Sequence, residues 1–211
     1  FCTGMSNGGD FCYLLACEAS ESFLGVAPIA GMIMQDIMDD CNPSQNVGIL
    51  EIHGTQDNVT YYDGDVNNQD GWGAYPSIPG TIDFFVDMYG LALNSTGNFP
   101  NIVSNDGSTV SFEKYGVDEE CAKVWLYTVN GGGHDWPGAY GNMDIESSRE
   151  AWLFFDSLCE STSVIDMPGS EGDKKIQKIT DVLGREVSDS SPQILLYIYD
   201  DGSVEKKFVV E

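Results

Sequence analysis

Over residues 1–160, short apolar runs alternate with stretches whose apolar residues return at helical spacing. That alternation leaves few folds open. Strands separated by helices lie side by side as a largely parallel sheet, with the helices packed on its faces. The runs at 24–31, 47–52 and 122–129 read as buried strands. Helical spacing begins at Asn7 and runs to about residue 20 through Phe11, Leu14 and Leu15. It returns over 81–93, where Ile82, Phe85, Val86 and Tyr89 fall on one face, and over 144–158 with Ala151, Phe154, Phe155 and Leu158. The expected class is therefore α/β. In such sheets the reacting side chains stand at the carboxyl ends of the strands.

Two segments depart from the pattern. Residues 63–80 are rich in Gly, Asn, Asp and aromatics and read as one long loop, of the kind that is commonly functional. After Cys159 the alternation stops. Residues 161–173 are rich in Ser, Gly and Asp and read as a linker. Residues 174–211 hold short strand patterns at 175–182, 194–199 and 204–210, with Asp201-Gly202 as a hairpin turn. The expected layout is a domain over 1–160, a linker, and a small all-β module at the end.

The net charge is −25. That disfavours nucleic acid, whose binding needs a basic footprint, and anionic lipid surfaces. No apolar run approaches the roughly 18 residues of a membrane span. The chain opens on Phe1-Cys2-Thr3-Gly4, without a basic and apolar leader, so the expectation is that a natural front part is missing. Cys2, Cys12, Cys17, Cys41, Cys121 and Cys159 show no zinc-type spacing. Disulfides fit an exported protein, but their pairing stays open, and Cys2 and Cys12 read equally well as buried thiols.

Three motifs carry chemistry. Gly4-Met5-Ser6-Asn7-Gly8 is a G-x-S-x-G pattern just before a helix. Its serine belongs on a sharp strand-to-helix turn that exposes the hydroxyl, and the following Asn7 N–H points at a developing oxyanion. A serine nucleophile needs a base, most often histidine. Of the two histidines, His134 follows Gly131-Gly132-Gly133 at a strand end and fits the base, whereas His53 reads as a hydrogen-bonded structural residue. Asp57 lies just past the strand that ends at His53 and is the expected acid, with Asp63, Asp65 and Asp135 as competitors. The order Ser6, Asp57, His134 is the chain order of α/β-hydrolases. Trp72, Tyr75 and Trp136 are candidates for stacking on a sugar or aromatic acyl group. The acidic run 63–70 has oxygen ligands at calcium-like spacing but fails the EF-hand pattern at Asn68 and Ala74, so no metal is expected.

Thr3-Gly4-Met5-Ser6-Asn7-Gly8-Gly9, His53-Gly54-Thr55-Gln56-Asp57 and Gly132-Gly133-His134-Asp135-Trp136-Pro137-Gly138 together resemble the polyhydroxybutyrate depolymerase and feruloyl esterase family, over about residues 1–158. The resemblance implies an α/β-hydrolase fold and extracellular hydrolysis of a polyester or polysaccharide-linked ester, without metal or organic cofactor. It carries the triad over to Ser6, Asp57 and His134. The chain departs from the family after Asp57, where it reads Asn58-Val59-Thr60-Tyr61-Tyr62 in place of a Pro-Tyr and a Gly pair. The tail, with Lys178-Ile179-Thr180-Asp181-Val182-Leu183-Gly184-Arg185-Glu186 and Tyr197-Ile198-Tyr199-Asp200-Asp201-Gly202, resembles the C-terminal sorting domain of the type IX secretion system. This implies that secretion machinery as a partner and a secreted or cell-surface location. The rival expectation is a non-catalytic, surface-displayed carbohydrate-binding protein on a hydrolase scaffold.

Overall fold

The computed structural model describes residues 1–117, 122–158, 175–181, 185–187, 194–200 and 204–208. It divides into two compact units, Phe1–Thr162 and Ser163–Glu211. The expected linker and the Asp201-Gly202 turn lie outside the described residues.

The first unit runs β1 (Cys2–Met5), α1 (Asn7–Glu18), β2 (Gly25–Ile29), α2 (Gln35–Asp40), β3 (Gly48–Gly54), α3 (Ile78–Tyr89), β4 (Leu93–Asn98), β5 (Thr109–Tyr115), β6 (Val124–Asn130) and α4 (Ser147–Ser157). Its strands form one six-stranded sheet in the order β1-β2-β3-β6-β5-β4. The β1, β2, β3 and β6 strands are parallel. β5 and β4 continue the sheet antiparallel. The α/β expectation meets a mostly parallel sheet with flanking helices, and the antiparallel edge is new.

β3 is buried along its whole length, as a central strand covered on both faces must be. Its period of two assigns the faces. Ile49 packs with Cys12, Tyr13, Ile82 and Phe85 under α1 and α3. Leu50 and Ile52 pack with Phe154, Phe155 and Leu158 of α4. Glu51 and His53 therefore point to the α1 side, and Tyr13 of α1 meets Glu51 there.

Helix α3 starts earlier than its apolar spacing indicates. The Ser77 hydroxyl accepts the Gly80 N–H at 3.1 Å and Pro79 sits in the first turn, which together favour a start at Ile78. It stops at Gly90, whose φ of 66° is a left-handed cap. A disulfide joins Cys17, near the end of α1, to Cys41, just past α2. Cys2 and Cys12 are free thiols. Cys121 and Cys159 lie outside the described residues.

The second unit holds an antiparallel three-stranded sheet of β7 (Ile176–Asp181), β8 (Ile194–Tyr199) and β9 (Val204–Phe208), with β8 in the middle. Thr180, Leu195 and Tyr197 are its buried side chains among the described residues.

Candidate active site

Ser6 joins β1 to α1 with φ 55° and ψ −125°, a backbone state that non-glycine residues rarely hold. Two hydrogen bonds pin it. Its N–H donates to Ile29 O of β2 at 3.0 Å, and its carbonyl accepts from Asp10 N at 2.9 Å. The turn is tight because glycines let backbone touch backbone. A Cβ on Gly4 would stand 2.6 Å from the Gly8 carbonyl, and one on Gly9 would stand 2.9 Å from Gly31 Cα. Gly8 itself has open space where a Cβ would go. The two glycines of the pentapeptide are thus unequal, and Gly9 and Gly31, outside it, share the steric task. Asn7 is the first residue of α1, where a backbone N–H has no partner within its helix.

Asp57 follows β3. Its carboxylate Oδ1 accepts the N–H groups of Val59 and Thr60, both at 2.8 Å, and Oδ2 accepts His134 Nδ1–H at 2.7 Å. The Asp57 side chain is fully buried, while His134 keeps 19% exposure. Burial alone would raise the Asp57 carboxyl. Bonds from His53, the Val59 N–H and His134 outweigh it and hold the group below the usual carboxylate range. The competitors are engaged elsewhere. Asp65 accepts from Gln69 N and Asp70 N at 2.9 and 3.1 Å, closing its own turn, and Asp135 accepts from Gly133 N at 3.0 Å. Asp63 is exposed.

Neighbouring parallel strands set the Asp57–His134 pair. β3 and β6 run in register, with His53 opposite Thr128 and Gly54 opposite Val129. Their exit loops interlock. Thr55 N donates to Val129 O, Gln56 N to Gly132 O at 2.8 Å, and Gly131 N to Thr55 Oγ1 at 2.9 Å. A Cβ on Gly54 would lie 2.4 Å from the carbonyl oxygens of Gly132 and Gly133, so glycine at Gly54 permits the close pass.

The loop carrying His134 also reaches the serine turn. Tyr140 Oη–H donates to Met5 Sδ at 2.8 Å. Asp10, on the first turn of α1, lies within electrostatic reach of both His134 and His53. Ser6, Asp57 and His134 thus stand after β1, β3 and β6, at one end of the parallel strands. Among the described residues no hydrogen bond joins Ser6 Oγ to His134.

His53 is buried and bonded at both ring nitrogens. Nδ1 meets Glu51 Oε1 at 2.8 Å, and Nε2 meets Thr60 O at 2.8 Å and Asp57 Oδ2 at 3.4 Å. Glu51 also accepts from Tyr13 Oη at 2.9 Å. Sequence reading passed over Glu51 and Tyr13. The available signal was a carboxylate inside the apolar run 47–52, since charged residues are rarely buried without a partner.

The aromatic candidates separate. Trp72 is 66% exposed. Tyr75 is only 1% exposed, and its hydroxyl accepts the Tyr61 N–H at 3.1 Å, so it holds the loop together and offers no stacking face. That corrects the expectation for Tyr75. Its backbone explains the change, because it pairs with Asp65 and draws the ring inward. Trp136 is half-buried against the α4-side core and donates Nε1–H to Ser148 Oγ at 3.3 Å.

No known family model matches the chain. It is 31% identical over 138 residues to feruloyl esterase B of Piromyces equi, covering 64% of this chain and 24% of that protein. It is 27% identical over 146 residues to NocK of Nocardia uniformis subsp. tsuyamanensis, which is named as a candidate esterase, covering 65% of this chain and 42% of that protein. The chain thus spans less than half the length of either relative.

Proposed function

We propose that this chain carries the reacting groups of a serine carboxylic-ester hydrolase. Ser6 Oγ attacks the ester carbonyl while His134 Nε2 takes its proton. His134 then gives that proton to the leaving alcohol. Asp57 fixes the imidazole with its proton on Nδ1 and stabilises the cation that forms. The Asn7 N–H supports the oxyanion, and water cleaves the acyl-enzyme by the reverse steps. The observation that carries the reading is the 2.7 Å bond from His134 Nδ1 to a buried Asp57. Its support is the Tyr140–Met5 contact that draws the same loop to the serine turn. The esterase names of both relatives agree with it.

The substrate class we propose is an ester of plant polysaccharide, feruloyl or acetyl, or a short polyhydroxyalkanoate. The exposed Trp72 and the half-buried Trp136 are the aromatic surfaces offered to it. We also propose export through the type IX route, on the tail motifs quoted above. The three-stranded sheet of the second unit is compatible with that role and equally with other small β appendages.

The test is release of acid from methyl ferulate, acetylated xylan and short-chain polyhydroxybutyrate by the full-length protein. Ser6→Ala is expected to lose on the order of 10³-fold or more in kcat, and Asp57→Asn roughly 10⁴-fold. Full activity in Ser6→Ala would end the reading. Polysaccharide binding without turnover of any ester, in a folded protein, would favour a carbohydrate-binding role.

A further inference from the structure

Behind Asp57 runs a buried line of polar side chains that the mechanism above does not use. Tyr13 Oη donates to Glu51 Oε2 at 2.9 Å, Glu51 Oε1 meets His53 Nδ1 at 2.8 Å, and His53 Nε2 meets Thr60 O at 2.8 Å. A carbonyl oxygen only accepts, so His53 Nε2 must carry a proton. The 2.8 Å contact on the other side of the ring then needs one more proton, held between His53 Nδ1 and Glu51. In either placement Nε2–H faces Thr60 O and, at 3.4 Å, Asp57 Oδ2. Thr60 in turn donates its N–H to Asp57 Oδ1 at 2.8 Å. His53 thus holds Asp57 twice, directly at one oxygen and through the Thr60 residue at the other.

We propose that His53, oriented by Glu51, is a positioning residue for the reaction, fixing the Asp57 carboxylate in place and drawing off part of the charge it presents to His134. This rests on the serine-hydrolase reading of Ser6, Asp57 and His134. The alternative role for a buried histidine is packing alone. Packing does not require Nε2 to stand 3.4 Å from the oxygen that receives His134 while its N–H is bonded to Thr60 O, nor a carboxylate committed to Nδ1 in the middle of a central strand. The surroundings agree. Burial would lower the His53 imidazole, yet its bonds to Asp57 and Glu51 push it up to about 9, and burial pushes Glu51 up to about 7 against the bond from His53. The other titratable groups facing this line are Asp10 and Cys12 from α1, Tyr62 and Tyr75 from the loop after β3, and His134.

The sign of the effect follows. Without the His53 donor, the full Asp57 charge acts on His134, which binds its proton more tightly and titrates at higher pH. The His134 resonance is identified by its loss in His134→Gln. The full-length protein, labelled with ¹⁵N-histidine, is titrated by nuclear magnetic resonance, and turnover of an aryl acetate is followed against pH. In His53→Phe we expect the His134 titration and the acidic limb of kcat to move up by about one unit. We expect kcat to fall roughly ten- to a hundredfold through misplacement of Asp57, with KM little changed. His53→Gln, whose amide N–H replaces Nε2–H, should recover much of kcat. If His53→Phe does not fold, Glu51→Gln takes its place and should move His134 in the same direction.

A His134 titration that superimposes on the unmodified protein would overturn the proposal, as would His53→Gln performing no better than His53→Phe. An active Ser6→Ala would instead sink the hydrolase reading. The His134 titration would then still report whether His53 acts on Asp57.

Discussion

Ser6 holds a strained backbone because the residues around it leave no other path, and the glycines divide that task unevenly. Gly4→Ala would drive a Cβ into the Gly8 backbone. We expect a loss of about 1–3 kcal/mol, read as a lower melting temperature, together with loss of Ser6 labelling by a fluorophosphonate. Gly8→Ala meets nothing within 4 Å and lies in α1, where alanine is the better helix former. It should leave stability unchanged or slightly raised. The pentapeptide was legible in the sequence as a pattern, but this asymmetry was not, because Gly31 arrives from beyond β2. His53 has its own pH signature. Its folded value, about 9, lies above the ordinary imidazole value of 6.5. The stability it lends is complete below that ordinary value and is lost as pH rises through the folded one. Thermal melts from pH 6 to 10 should fall over that window in the parent and less in His53→Gln; parallel curves would argue against a charged His53.

Helices and central strands were legible because their burial writes a period into the sequence. Asn7–Glu18, Gly25–Ile29, Gly48–Gly54 and Val124–Asn130 lie close to the segments read from spacing alone. β4 and β5 were missed for a physical reason. β4 is an edge strand of Leu, Asn, Ser, Thr and Gly with almost every residue exposed, so no apolar alternation marks it. It is held by backbone pairing to β5 rather than by its side chains. Helix α2 was missed because it has six residues and none is buried. The Cys17–Cys41 bond ties this weakly packed helix to α1 across 24 residues of sequence. Replacing both cysteines by serine should cost about 3 kcal/mol by loop entropy. The check is denaturant unfolding of the oxidised parent and the double variant. An unchanged midpoint would mean that α2 is held by packing alone.

Across the whole chain, a net charge of −25 works against compactness through self-repulsion. Raising sodium chloride from ~10 mM to ~1 M shortens the screening length from roughly 30 Å to roughly 3 Å, and the melting temperature should climb by several degrees. A flat or falling curve would mean that local pairing, not the overall field, governs the electrostatics. Ser6, Asp57 and His134, read together from their chain order, each follow a strand of the parallel sheet. That His53 is hydrogen-bonded was read from the sequence, but its partners were not, because only the fold reveals that Glu51 shares its face with Tyr13 and that the Thr60 carbonyl folds back onto the ring. The interlocked exits of β3 and β6 have a further consequence. Gln56 is bonded to Gly132, Gly131 to Thr55, and Gly54 admits no slack between the two loops. The loops of Asp57 and His134, the acid and base of the proposed reading, are thereby tied to each other through their backbones as well as through the Asp57–His134 bond. From that tied pair of loops, Tyr140 resting on Met5 reaches across to the turn that carries Ser6.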